Sequence, residues 1–153
     1  MPEVLASFHP TSWDVPLFLH VLGAMVLVGV LLAALTAFAL QWRPAAEAGG
    51  TLRRFAFRAL LVCGVPAFFA MRIGAQWIYS KEFPGGGDDP TWVGIGFMVS
   101  DLGGLLLIAA CVLAWRATKR EATGGLARAA TILTGIILAL DLVAMWAMTT
   151  KPS

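Results

Sequence analysis

The stretch VPLFLHVLGAMVLVGVLLAALTAFALQW, residues 15–42, contains no Asp, Glu, Lys or Arg. A helix rising 1.5 Å per residue needs about 20 apolar residues to cross the hydrocarbon core of a bilayer. This run exceeds that length. It is also much longer than the roughly 7–15 apolar residues of a cleavable leader, and no basic residue precedes it, so the expectation is a first span that is retained. Working outward, three more apolar stretches follow at about 55–79, 92–115 and 129–148. Each carries one charge deep in its interior, namely Arg72, Asp101 and Asp141, with Arg58 besides at the edge of the first. The predicted fold is all-α, a polytopic bundle of four transmembrane helices that uses residues 1–153 as a single transmembrane domain.

Composition agrees. The chain is 59% hydrophobic and 13% charged, with mean hydropathy +0.80. Soluble domains carry about 25% charged residues, and a small one has a large relative surface to cover with them. The lipid bilayer is therefore the expected partner. Net charge +2 does not point to nucleic acid, because the basic residues are dispersed between apolar spans. Cys63 and Cys111 stand alone in apolar stretches, which suits packing and excludes a close-spaced metal or redox pair. The chain has no G-x-S-x-G elbow, Walker loop or dinucleotide glycine fingerprint, so hydrolase, kinase and dinucleotide-enzyme readings lack support. Whether it is an enzyme stays open.

The connections RPAAEAGG (43–50), KEFPGGGDDP (81–90) and RATKREATGG (116–125) are short and rich in turn residues. Successive helices should be antiparallel neighbours. Arg43, Arg53, Arg54 and Arg58 surround the first connection, and Arg116, Lys119, Arg120 and Arg128 the third. The second holds Lys81 against Glu82, Asp88 and Asp89, and the N-terminal tail holds Glu3 and Asp14. Basic loops face the cytoplasm. The expected topology is thus both termini on the outer side of a bacterial-type cytoplasmic membrane, with Lys151 a mild exception. Tryptophans 13, 77, 92 and 146 fall near the outer ends of the spans, and 42 and 115 near the inner ends, where indoles anchor at the interface.

Small residues recur every four positions: Gly29, Ala33 and Ala37; Gly96, Ser100 and Gly104; Thr131, Gly135 and Ala139. Such stripes predict close helix packing where lipid supplies no hydrophobic drive. Pro66 predicts a kink in the second span.

Four ionisable side chains lie within the spans, one per helix: His20, Arg72, Asp101 and Asp141. In the expected topology they share the outer half, at about 8 Å depth for His20, 10 Å for Arg72 and Asp141, and 13 Å for Asp101. A charge in hydrocarbon costs several kcal/mol, so each should face the bundle interior. Arg72 is expected to pair with one aspartate, leaving the other to pair with His20 or take up a proton. Gln76 and Tyr79 share the helix face of Arg72 and extend a polar stripe toward the outer surface. These six residues are the candidate ligand- or ion-binding set.

The segments LHVLGAMVLVGV (19–30) and MWAMTTKP (145–152) resemble the DUF2269 family of predicted four-span membrane proteins. The first-helix pattern is also similar to copper-resistance D-type membrane domains and to bacterial membrane protoporphyrinogen oxidase. The latter resemblance implies haem b or a metal ion on His20, but the oxidase's later polar residues have no counterpart here. Three functions follow as open readings. The layer is structural or binds a small ligand or ion; or His20 serves a haem or metal redox centre; or the chain is a transporter or an accessory subunit, as a homo-oligomer or within a larger membrane complex.

Overall fold

The computed structural model describes residues 14–41, 49–84, 90–119 and 124–150. Those residues form α1 (Asp14–Leu40), α2 (Gly49–Arg58), a π-helical turn (Ala59–Gly64), α3 (Val65–Glu82), α4 (Thr91–Lys119) and α5 (Gly124–Thr150). The segments α2, π turn and α3 run on as one rod. Four helices, Asp14–Leu40, Gly49–Glu82, Thr91–Lys119 and Gly124–Thr150, are thus long and apolar enough to cross a membrane. The all-α four-helix reading holds.

The second, third and fourth spans are longer than their apolar stretches, mostly at the basic end. Gly49 and Gly50, expected in a connection, open α2, and Gly124 and Gly125 open α5. Basic residues there stay on the helix: Arg53, Arg54 and Arg58 in α2, and Arg116 and Lys119 in the last turn of α4. Long basic side chains can lie along the helix and reach polar surroundings with their heads, so charge does not terminate it.

The helices form a ring. α1 packs most extensively on α3, α4 on α5, and α1 on α5. The basic-end half of the second rod, α2, lies against both α1 and α4, whereas α3 keeps α1 and makes only slender contact with α4. The change falls at the π turn. There the Val65 N–H bonds the Leu60 carbonyl, five residues back, and Pro66, second in α3, has no N–H to offer. The extra residue of a π turn absorbs the missing donor. The kink expected at Pro66 is realised as this turn, which leads α3 away from α4.

Packing differs between the two ends. The core of large side chains (Leu27, Leu31, Phe38, Leu60, Leu107, Ile137) occupies the half nearer the basic end. The other half, where Asp14, Glu82, Thr91 and Thr150 terminate their helices, is packed mainly through small residues. Gly23 and Gly74 are the closest of these. A methyl on Gly23 would lie 2.5 Å from the Met71 nitrogen, and one on Gly74 2.6 Å from the His20 nitrogen. These two glycines bring the α1 and α3 backbones together. The expected stripe does not: Gly29 and Ala33 are exposed and only Ala37 is buried, and a methyl on Gly29 would meet nothing. Spacing alone names several small-residue faces on an apolar helix, and contact selects one. On α4 the stripe is divided, with Gly96 receiving Met148 of α5 and Gly104 receiving the Phe68 ring of α3. On α5, Thr131 is buried, Gly135 lies beside Leu35, and Ala139 is exposed.

Outside this core the surface is apolar. Phe18, Met25, Val62, Met98 and Leu105 are each about two-thirds exposed. That exterior suits lipid and would be costly in water. Cys63, expected to pack inside, is exposed on the π turn, while Cys111 is buried as expected, and both are free.

Candidate functional site in the polar layer

His20, Arg72, Asp101 and Asp141 fall in the terminal-end half, where the large-residue core is absent. His20 lies six residues inside α1, Arg72 and Asp101 ten inside α3 and α4, and Asp141 nine inside α5. At 1.5 Å per residue these are depths of about 9, 15, 15 and 14 Å from the helix ends. The layer expected from the sequence exists, but it resolves into three separate arrangements.

The first joins α3 to α4. Arg72 Nε and one terminal nitrogen both donate to Asp101 Oδ1, at 3.3 and 3.2 Å. This is not the two-oxygen fork that makes the strongest arginine–carboxylate pair. Oδ2 is left without a partner among the described residues. The other terminal nitrogen donates to Gln76 Oε1 at 3.0 Å, as expected for side chains one turn apart. The guanidinium lies 4.6 Å from the centre of the Phe97 ring, a cation–π contact. Tyr79 meets the same ring edge to face at 5.1 Å, and Phe83 at 5.4 Å. Phe97 escaped the sequence reading. Its signal was its place one turn before Asp101, on the face that Arg72 meets.

The second joins α1 to α3. His20 Nδ1 lies 3.0 Å from the Met71 carbonyl. A carbonyl only accepts, so Nδ1 is the donor in this bond and Nε2 is left out of it. The expectation that His20 pairs with an aspartate is therefore not met. The residue that His20 does meet, Met71, had no signal, because the bond is to its backbone. Gly74 made it reachable, by letting α3 settle directly on the His20 backbone.

The third is Asp141. It continues the inward face of α5 marked by Ala130, Thr134 and Ile137. Its Oδ2 is buried and has no hydrogen-bond partner among the described residues, and the same is true of the Ser100 hydroxyl of α4. Met148 resting on Gly96 sets the register of these helices. Seven residues toward the basic end, α5 reaches Asp141 and α4 reaches Gly103, with Ser100 a turn nearer. Gly103 is itself buried, yet a methyl placed on it would meet nothing within 4 Å. An open position on the buried face of α4 therefore lies at about the level of Asp141 and a turn from Ser100. Thr134, about two turns below Asp141, is satisfied by the Ala130 carbonyl and takes no part.

No family model, curated protein or solved structure matches this chain. The chemistry of the layer therefore stands on its own geometry. Among the described residues no three His, Cys, Asp or Glu side chains come together as a metal-binding group. Two surface depressions lie elsewhere, one along α1 at Leu17 and Val21, the other at Trp115, Arg116 and Lys119.

Proposed function

We propose that this chain is a small integral membrane protein that holds a proton or a small cation at Asp141. The Arg72–Asp101 pair and the His20–Met71 bond fasten the surrounding helices. The observation that carries this reading is the buried Oδ2 of Asp141, unpartnered among the described residues, with an unpartnered Ser100 hydroxyl about a turn away in level on α4. A carboxylate within hydrocarbon needs a proton, a cation or a donor. Arg72 is already engaged by Asp101 and His20 by Met71. The space at Gly103 suits an ion or a water better than an organic ligand. The large-residue core closes the basic end, so access is from the terminal end. Basic loops argue that this end faces outward from a bacterial-type cytoplasmic membrane. The test is infrared difference spectroscopy in lipid. A protonated-carboxyl band that vanishes in Asp141→Asn is expected, and sodium or lithium bleaching it at constant pH would identify a cation competing for the site. No Asp141-dependent band under any of these conditions would dismiss the reading.

A second reading is favoured by the His20 geometry. An imidazole whose Nδ1–H is fixed by a backbone carbonyl is oriented as metal-binding histidines are, with Nε2 free. Haem or a metal ion at His20 accords with the resemblance of the first helix to the haem-binding oxidase pattern. His20 is the only histidine among the described residues, so a second axial ligand would come from His9, from a second copy or from another residue type. Protein purified from haem-replete cells would show a Soret band lost in His20→Ala, whereas a colourless, metal-free preparation would exclude this reading.

A further inference from the structure

The exposed side of the Arg72 arrangement has a polarity that lipid cannot satisfy. The Asp101 side chain is 66% exposed, and both bonds from Arg72 fall on one of its oxygens. Gln76 is exposed too. Its carbonyl oxygen is taken by Arg72, which leaves its amide hydrogens unused among the described residues. Around them the surface is apolar, with Phe69, Ile73, Met98 and Leu105 each more than half exposed. At about 15 Å from the helix ends, a free carboxylate oxygen and a free amide facing hydrocarbon are both costly. Something with a donor and an acceptor of its own must cover this face.

We infer that the cover is a second copy of this chain, related by a two-fold axis running along the bundle between α3 and α4. A two-fold interface requires a patch that complements itself. This patch does, because it presents a free acceptor on α4, Asp101 Oδ2, and a free donor on α3, the Gln76 amide. Both sit at one depth. Helical side chains lean toward their own N-terminus, so Gln76 leans from α3 toward the level of Arg72, while Asp101 leans the opposite way from antiparallel α4. They converge on a single guanidinium. Rotation about the axis sets α3 of each copy against α4 of the other, so that Gln76 of one donates to Asp101 of the next, twice over. The two like charges near the axis are manageable. Each Arg72 is neutralised by its own Asp101, is only 26% exposed, and is covered by its own Phe97. Gly94 lies on the same face, exposed and with open space beside it, so the helices can approach closely there. The slender contact between α3 and α4 within one copy leaves both helices free to take a second helix neighbour.

The association is measured by energy transfer between labelled copies in lipid vesicles over a dilution series. Wild type is expected to dimerise. Gln76→Leu, which removes both exchanged bonds and keeps the Arg72–Asp101 pair, is expected to weaken the dimer about tenfold. Its helicity and thermal midpoint, measured in parallel, should match wild type. Gly29→Leu, on the exposed stripe of α1, and Asp141→Asn should leave association unchanged, which separates this inference from the ion reading. With Cys63→Ala and Cys111→Ala as background, Met98→Cys should cross-link between copies and Met25→Cys should not. A wild-type monomer at every dilution, a dimer indifferent to Gln76→Leu but abolished by Gly29→Leu, or cross-linking through Met25→Cys rather than Met98→Cys would each overturn the inference.

Discussion

Asp101 and Asp141 lie at nearly the same depth but in opposite surroundings, and substitution should separate them. Asp101→Leu strands the Arg72 guanidinium with only Gln76 and the Phe97 ring. A hydrogen bond to a charged group contributes about 1.5–3 kcal/mol. Part of that is lost here to the exposure of Asp101, so a destabilisation of about 1–2 kcal/mol is expected. Asp141→Leu removes an oxygen that no protein donor satisfies, and replacing such a group by an apolar one is close to neutral or stabilising. Denaturant titration of the two variants in the same detergent checks this. Equal destabilisation by both would mean that Asp141 has a protein partner after all. His20→Ala forfeits one neutral bond to the Met71 carbonyl, about 1 kcal/mol. The sequence disclosed the depth of these residues, because depth follows from counting along a helix. It did not disclose their partners. Partner choice depends on rotation about each helix axis and, for His20, on a backbone atom that carries no side-chain signature.

At the scale of the elements, a few contacts choose among faces that the sequence leaves equivalent. Gly23 and Gly74 touch the opposing backbone, where neither neighbour can yield. Gly23→Ala or Gly74→Ala should therefore cost about 1–3 kcal/mol, the usual price of overpacking. Gly29→Ala, which meets open space, should stay within about 0.5 kcal/mol of wild type or gain slightly from helix propensity. Thermal midpoints of the three variants test the assignment, and a loss in Gly29→Ala equal to the others would return α1 to its sequence-based stripe. The π turn has a similar selective role. Deleting Leu61 would remove the extra residue of the π turn and restore α-helical spacing. Pro66 would then stand inside a regular helix, its ring against the Val62 carbonyl four residues back, so the deletion should destabilise far more than Leu61→Ala, whose side chain is exposed. Pro66 marked the place in the sequence. That its missing donor would be absorbed by an extra residue, rather than by an open kink, depends on how the rod lies between α1 and α4.

For the whole molecule, the asymmetry between the ends is what connects fold to function. Large apolar side chains fill the basic-end half, and small residues with the polar layer fill the other. The span count was legible because bilayer thickness imposes a length on any apolar run, and the depth of the layer because each span carries one conspicuous charge. The division of that layer into an ion pair, a backbone-anchored histidine and a lone aspartate needed the three-dimensional register. Which end faces outward follows from a separate physical argument, the preference of short lysine- and arginine-rich connections for the cytoplasm. It yields a direct prediction in the Cys63→Ala, Cys111→Ala background. Ser80 is exposed near the end of α3, and Lys119 is exposed at the end of α4. A membrane-impermeant thiol reagent added to intact cells should label Ser80→Cys promptly and leave Lys119→Cys unlabelled until the membrane is opened. The reverse pattern would invert the molecule and turn the polar layer toward the cytoplasm. A proton or cation held at Asp141 as proposed would then exchange with the cell interior, while the pairing of Arg72 with Asp101 and the proposed face between copies would stand unchanged.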